Sequence, residues 1–238
     1  MDKESKKDCK VSDHSCCCDE GHSLLTELMC HLPFAMVAVA ACLAVLSFLT
    51  YFSLGSPETA NAKGADILFH SFHFMHILFS ATGTLITYYR FSKGLIRGIF
   101  VGIFSSITFC TMSDAIMPYL AGKILGVDME FHVCFLTEWG NIIPFLVAGL
   151  ISGVVIGKYH KTNLHFYSLS SHSLHILVSS FASTFYLVAR GFANWYAQIG
   201  AVFVFLVIAV VVPCIMSDIV TPMTFARVEK KNESNKVT

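Results

Sequence analysis

Six long apolar runs dominate the chain and leave few folds open to it. They fall at roughly 30–54, 66–89, 95–120, 132–156, 169–189 and 198–222. A helix needs about 20 residues to cross the hydrocarbon of a bilayer, and only structures that satisfy every backbone N–H and C=O internally survive there. The chain is therefore read as an all-α polytopic membrane protein with six transmembrane helices. Composition agrees, since 55% of the 238 residues are hydrophobic and only 13% charged, too apolar a mixture for an ordinary soluble domain. Turn and charge signals part the runs, as at Gly55-Ser56-Pro57-Glu58, Arg90-Phe91-Ser92-Lys93-Gly94 and Lys158-Tyr159-His160-Lys161.

Lysine and arginine set the expected orientation. Taking tails and loops alternately, one side holds Arg90, Lys93, Arg97, Lys158, Lys161, Arg227, Lys230, Lys231 and Lys236, besides four lysines of the amino-terminal tail. The other holds only Lys63, Lys123 and Arg190. Both termini are expected in the cytoplasm, in a cell membrane or bacterial inner membrane. The polar first thirty residues carry no pattern of a cleavable signal, so the first span is expected to direct its own insertion. A net formal charge of zero, with basic residues scattered, argues against nucleic acid as a partner.

Laid over itself, the chain repeats. Leu25-Thr26-Glu27 with Pro33-Phe34 matches Leu136-Thr137-Glu138 with Pro144-Phe145. His73-x-x-His76-Ile77-Leu78 matches His172-x-x-His175-Ile176-Leu177, and Cys110-x-Met112-Ser113-Asp114 with Pro118 matches Cys214-x-Met216-Ser217-Asp218 with Pro222. Three ordered matches predict two three-helix repeats at 27–122 and 123–226, flanked by a Cys/His-rich tail at 1–26 and a short tail at 227–238. With an odd number of spans per unit, the second copy enters the membrane from the opposite face. Such inverted repeats are a recurring plan of secondary transporters, whose two halves supply inward-open and outward-open states.

Ionisable side chains inside a bilayer are expensive and mark functional sites by default. Here they coincide with the repeated strings. Residues three or four apart share a helix face, so His73 pairs with His76 and Cys110 with Asp114. The predicted topology groups His73, His76, Cys110, Asp114 and Glu138 as an outer set. It groups Glu27, His172, His175, Cys214 and Asp218 as an inner set. Imidazole, thiolate and carboxylate suit a divalent transition metal (Zn, Mn, Fe, Co, Ni or Cu) better than magnesium or calcium. The expected function is transport of such an ion by alternating access, the ion being substrate and no cofactor being held permanently.

Other polar groups carry plainer readings. His70 and His132, taken singly, are expected to bond neighbouring helices. Ser113 and Ser217 are expected to bond back to their own helix, and Pro118 and Pro222 to end or kink it. Pro33 and Pro144 either break a helix or mark its start. In the tail, Cys9, His14, Cys16-Cys17-Cys18 and His22 form a soft-ligand cluster without zinc-finger spacing. It reads as a metal-capturing arm, with palmitoylation of the cysteine triplet as the competitor. Gly98, Gly102, Gly149 and Gly153 permit close packing within or between protomers, so a homodimer is one expected assembly.

Met112-Ser113-Asp114-x-x-x-Pro118 resembles a Ser-Asp-acid-x-x-Pro string in a family of ten-helix heavy-metal exporters, and His73-x-x-His76-Ile77-Leu78 is similar to one of its helix motifs. The resemblance covers short segments, and this chain has six predicted spans and no acid after Asp114. Because the chain departs from the family in both respects, the family's substrate and direction of transport are not carried over. Two other functions compete with transport. A haem-binding redox protein would use an axial histidine from each of two helices, and an intramembrane zinc-dependent hydrolase would use His and Asp as ligands. Soluble-enzyme motifs such as a phosphate-cradling glycine loop or a serine nucleophile elbow are absent, and the chain is not expected to be an enzyme.

Overall fold

The structure is a computed structural model that describes residues 24–53, 58–159 and 164–237. Every regular element among them is helical: α1 (Leu24–Phe52), α2 (Glu58–Phe91), α3 (Leu95–Thr111), α4 (Met117–Ile124), the one-turn α5 (Cys134–Thr137), α6 (Trp139–Tyr159), α7 (Leu164–Ala189), α8 (Ile199–Ile215) and α9 (Thr221–Val237). The tail cluster at 9–22 lies outside the described residues. Five stretches among the described residues are long and apolar enough to cross a membrane: His31–Phe52, Leu95–Ile124, Trp139–Lys158, Ser171–Ala189 and Trp195–Glu229. The expected second span, within α2, is not among them. His70, His73, His76, Ser80, Thr82, Thr84 and Thr87 dilute its apolar character.

The polarity of α2 follows from its place. It lies lengthwise against α7 in the middle of the bundle, with α6 and α3 on its other sides. Every residue from Ser80 to Tyr88 is buried, so this part of α2 meets protein all round. The helices outside it turn large apolar side chains outward, among them Val37, Phe48, Ile96, Phe100, Val147, Ile151 and Val204. An apolar exterior around a polar centre inverts the arrangement of a water-soluble bundle.

Close approach of α6 to α2 depends on glycine. A Cβ at Gly149 would stand 2.5 Å from the Leu78 carbonyl oxygen, and one at Gly153 would stand 2.7 Å from Leu85 Cβ. Thr82 Oγ1 uses the proximity to donate to the Gly149 carbonyl at 3.1 Å. Gly102 likewise faces Leu150 and Leu85, and Gly98 faces Tyr88 and Tyr89. All four glycines of the small-residue pattern are thus occupied inside the protomer.

Each recurring Cys-x-Met-Ser-Asp string coincides with one widened helical turn. Met112–Ile116 joins α3 to α4 and Met216–Val220 joins α8 to α9, both as π-helix. The prolines supply the cause. Pro118 and Pro222 each lie four residues after an aspartate, so they lack the N–H that would close an α-helical bond to the carbonyl of Asp114 or Asp218. The chain loosens to i→i+5 bonding, with Met117 N–H on the Met112 carbonyl and Thr221 N–H on the Met216 carbonyl. Pro33 and Pro144, by contrast, sit inside α1 and α6 without ending them. The break beside Pro144 comes earlier, at Glu138 between α5 and α6.

At one end of the bundle, Glu229 of α9 gathers the α2–α3 turn. Its carboxylate accepts from the Tyr88 and Ser92 hydroxyls and pairs with Arg97 Nη1 at 2.9 Å. At the other end, Arg190 beyond α7 pairs with Asp66 of α2 at 2.5 Å. Replacing Gly149 by alanine is expected to destabilise the protein by about 1–3 kcal/mol, because backbone of α2 blocks the new methyl. Thermal unfolding in detergent measures this; an unchanged midpoint would mean that α6 does not sit this close to α2.

Candidate metal centre

Two buried carboxylates organise the middle of the bundle. Asp114, on the π turn after α3, is fully buried. Its Oδ2 receives His73 Nδ1 at 2.9 Å and His76 Nδ1 at 2.6 Å. Asp218, on the π turn after α8, does the same for α7, with His172 Nδ1 at 3.1 Å and His175 Nδ1 at 2.6 Å. An ionised carboxylate only accepts, so each of these Nδ1 atoms carries the proton and each ring presents its Nε2 away from the carboxylate. A histidine held by carboxylate through one nitrogen and presenting the other is the usual posture of a metal-ligating imidazole.

The two clusters meet. The rings of His76 and His175 stand 4.4 Å apart, and Cys214 Sγ lies 3.9 Å from His76 Nε2. His76, His175 and Cys214 offer donor atoms that all fall within 4.8 Å of one another, and all three residues are buried. Cys110 adds its thiol beside His76. His175 Nε2 and His172 Nε2 are buried without a hydrogen-bond partner. Such orphaned polar atoms are costly, about 1–3 kcal/mol each, unless something else occupies them.

Hydroxyls from the opposite helix complete each π turn. Ser183 of α7 donates to the Ser113 carbonyl at 3.0 Å, and Thr84 of α2 donates to the Ser217 carbonyl at 3.1 Å. Ser179 Oγ meets Ser113 Oγ at 3.1 Å, while Ser80 Oγ meets Ser217 Oγ at 2.8 Å. Carbonyls loosened by a break in a membrane helix are commonly recovered by Ser and Thr in this way. Resemblance between the clusters stops at the second carboxylate oxygen. Asp114 Oδ1 accepts from Ser113 at 2.7 Å and Ser179 at 2.9 Å, whereas Asp218 Oδ1 is buried without a partner. Gly83 passes directly over Asp218, where a Cβ would stand 2.8 Å from Oδ2.

Of the ten residues predicted from sequence, eight come together: His73, His76, Cys110, Asp114, His172, His175, Cys214 and Asp218. They form one connected centre rather than an outer and an inner set. Glu138 stands apart at the end of α5, with its carboxylate on Asn141 Nδ2 at 2.6 Å. The Glu27 side chain lies outside the described residues. His31 of α1, which sequence reasoning did not single out, packs edge-on against His172 with centroids 4.3 Å apart. Ser80, Thr84, Ser179 and Ser183 were also missed. The 99-residue offset that aligns the histidines also pairs Ser80 with Ser179 and Thr84 with Ser183, a signal present in the sequence.

Ser179→Ala removes a donor from a buried carboxylate and is expected to cost about 1.5–3 kcal/mol, whereas Ser80→Ala removes a hydroxyl–hydroxyl contact and is expected to cost about 0.5–1.5 kcal/mol. Chemical denaturation of the two variants side by side tests the ranking; a larger loss for Ser80→Ala would contradict the asymmetry between the two aspartates. No known protein family, curated protein or solved structure matches this chain.

Proposed function

We propose that the chain spans the membrane six times as two inverted three-helix repeats with both termini in the cytoplasm, and carries a divalent transition-metal ion across it by alternating access. The observation that carries this reading is the buried group of His76, His175 and Cys214, whose donor atoms lie within 4.8 Å of one another, with Cys214 Sγ 3.9 Å from His76 Nε2. Asp114 and Asp218 stand behind the imidazoles and orient them. Two nitrogens and a thiolate, with Cys110 as a further thiol, make a set suited to zinc, copper, nickel, cobalt or iron and poorly suited to magnesium or calcium.

The repeat supports transport in particular. Each half contributes one imidazole, one thiol and one orienting carboxylate, so rocking of one half against the other would open the shared point to alternate faces. The short heavy-metal exporter strings fit the same substrate class. Haem fits less well, because rings 4.4 Å apart leave no gap for a porphyrin between His76 and His175. Loading the ion displaces protons from its ligands, so acid on the loading side slows uptake.

Proteoliposomes containing a zinc-responsive dye test the reading. The unmodified protein is expected to give zinc flux above empty vesicles, and Cys214→Ser or His175→Ala to reduce it at least tenfold. Asp114→Asn and Asp218→Asn, which loosen the imidazoles without removing a ligand, are expected to weaken apparent zinc affinity by about 10–100-fold. Zinc flux indifferent to all four substitutions would overturn the assignment.

A further inference from the structure

A second group of soft ligands lies away from the centre, at the end of the bundle where α2 begins. His70 of α2, His132 of the loop after α4 and Cys134 at the start of α5 place donor atoms within 4.8 Å of one another. Sequence reading treated the two histidines as separate helix-bonding groups. Folding brings them together, with ring centroids 5.5 Å apart and set edge to face.

Each ligand is held ready. His70 Nδ1 lies 2.8 Å from the Asp66 carbonyl oxygen, so it donates there and keeps its Nε2 lone pair. His132 Nε2 is buried and has no hydrogen-bond partner. Its backbone is pinned twice by Tyr186, whose hydroxyl accepts from His132 N–H at 3.1 Å and donates to His132 C=O at 3.2 Å. Cys134 is a free thiol, 1% exposed. Asp66, one turn before His70 on α2, pairs with Arg190 at 2.5 Å. The Arg190 guanidinium acts on both His132 and Cys134, opposed by the smaller influence of the Asp66 and Glu138 carboxylates.

We infer that His70, His132 and Cys134 form a second, exchangeable binding site for a thiophilic divalent cation of the zinc class. Three protein ligands leave a fourth position to water, the pattern of sites that exchange rather than of closed structural ones. Nothing about binding requires the chain to be a transporter. The further step, that this site hands its ion to the centre, rests on the transport reading. His70, His73 and His76 follow at three-residue spacing along α2, which sets His70 about 9 Å along the helix axis from His76. The position equivalent to His70 in the second repeat is Leu169, and among the described residues no matching group lies there. A loading site at that end would speed capture of the ion there without setting the direction of net flux.

Cobalt(II) alone is the probe, titrated into purified full-length protein whose tail residues Cys9, Cys16, Cys17 and Cys18 are replaced by serine. Thiolate-to-cobalt charge transfer is followed against added equivalents. In a protein also carrying Cys110→Ser and Cys214→Ser, one equivalent with that absorption is expected to remain. Cys134→Ser and His132→Ala are each expected to abolish it, and the two together to remove no more than either alone. Gel filtration of each variant checks folding, and His70→Ala, which alters a ring on a helix rather than a loop anchor, repeats the test should either misfold. Cobalt absorption that vanishes with the Cys110→Ser, Cys214→Ser pair, or survives when Cys134→Ser is added to that pair, overturns the inference. Failure of the transport reading would look different: no zinc flux in vesicles while the cobalt site remains intact.

Discussion

The fold turns on a carboxylate clasped by two imidazoles, made once with Asp114 and again with Asp218. A carboxylate without partners in a low-dielectric interior costs several kcal/mol after relaxation, far more than a small bundle can absorb. Each aspartate escapes this by drawing in two Nδ1–H donors from a neighbouring helix. That requirement fixes the rotation of α2 and α7 about their own axes. It also fixes the register of each against the π turn it faces. Other polar features of the interior follow from satisfying what these turns leave open.

Proline placement makes the clasp reachable. Because Pro118 and Pro222 stand four residues after the aspartates, the helix widens at the same point where the carboxylate projects, and carbonyls are freed that only a neighbouring helix can satisfy. Ser183 and Thr84 answer them across the interface between the repeated segments. Large side chains also interlock across that interface, with Phe72 of α2 stacked on Phe181 and Phe185 of α7 and Phe69 set edge-on to Tyr186. Gly149 and Gly153 hold α6 tightly against α2.

The clusters are alike in pattern and unequal in detail. Asp114 is saturated by four donors, whereas Asp218 keeps one oxygen unpartnered beneath Gly83. The group at His70, His132 and Cys134 adds a further inequality, since the second repeat has leucine where the first has His70.

Much of this was legible in the residues alone. Apolar run length dictated helices, since a bilayer or a buried core both demand internally satisfied backbone. The recurring His-x-x-His and Cys-x-Met-Ser-Asp strings named eight of the residues that meet, because three- and four-residue spacing sets side chains on one face whatever the helix packs against. Local spacing says nothing of which faces are turned toward each other. Whether the two sets lie apart or share a centre depends on how α2 crosses α7, and there the tertiary structure decided on a shared one. It also decided that the aspartates act behind the imidazoles, that Glu138 stands aside, and that His70, His132 and Cys134 come together. These are contacts between segments dozens of residues apart, governed by packing and by the need to pair every buried polar atom, neither of which is written in any single stretch of the chain.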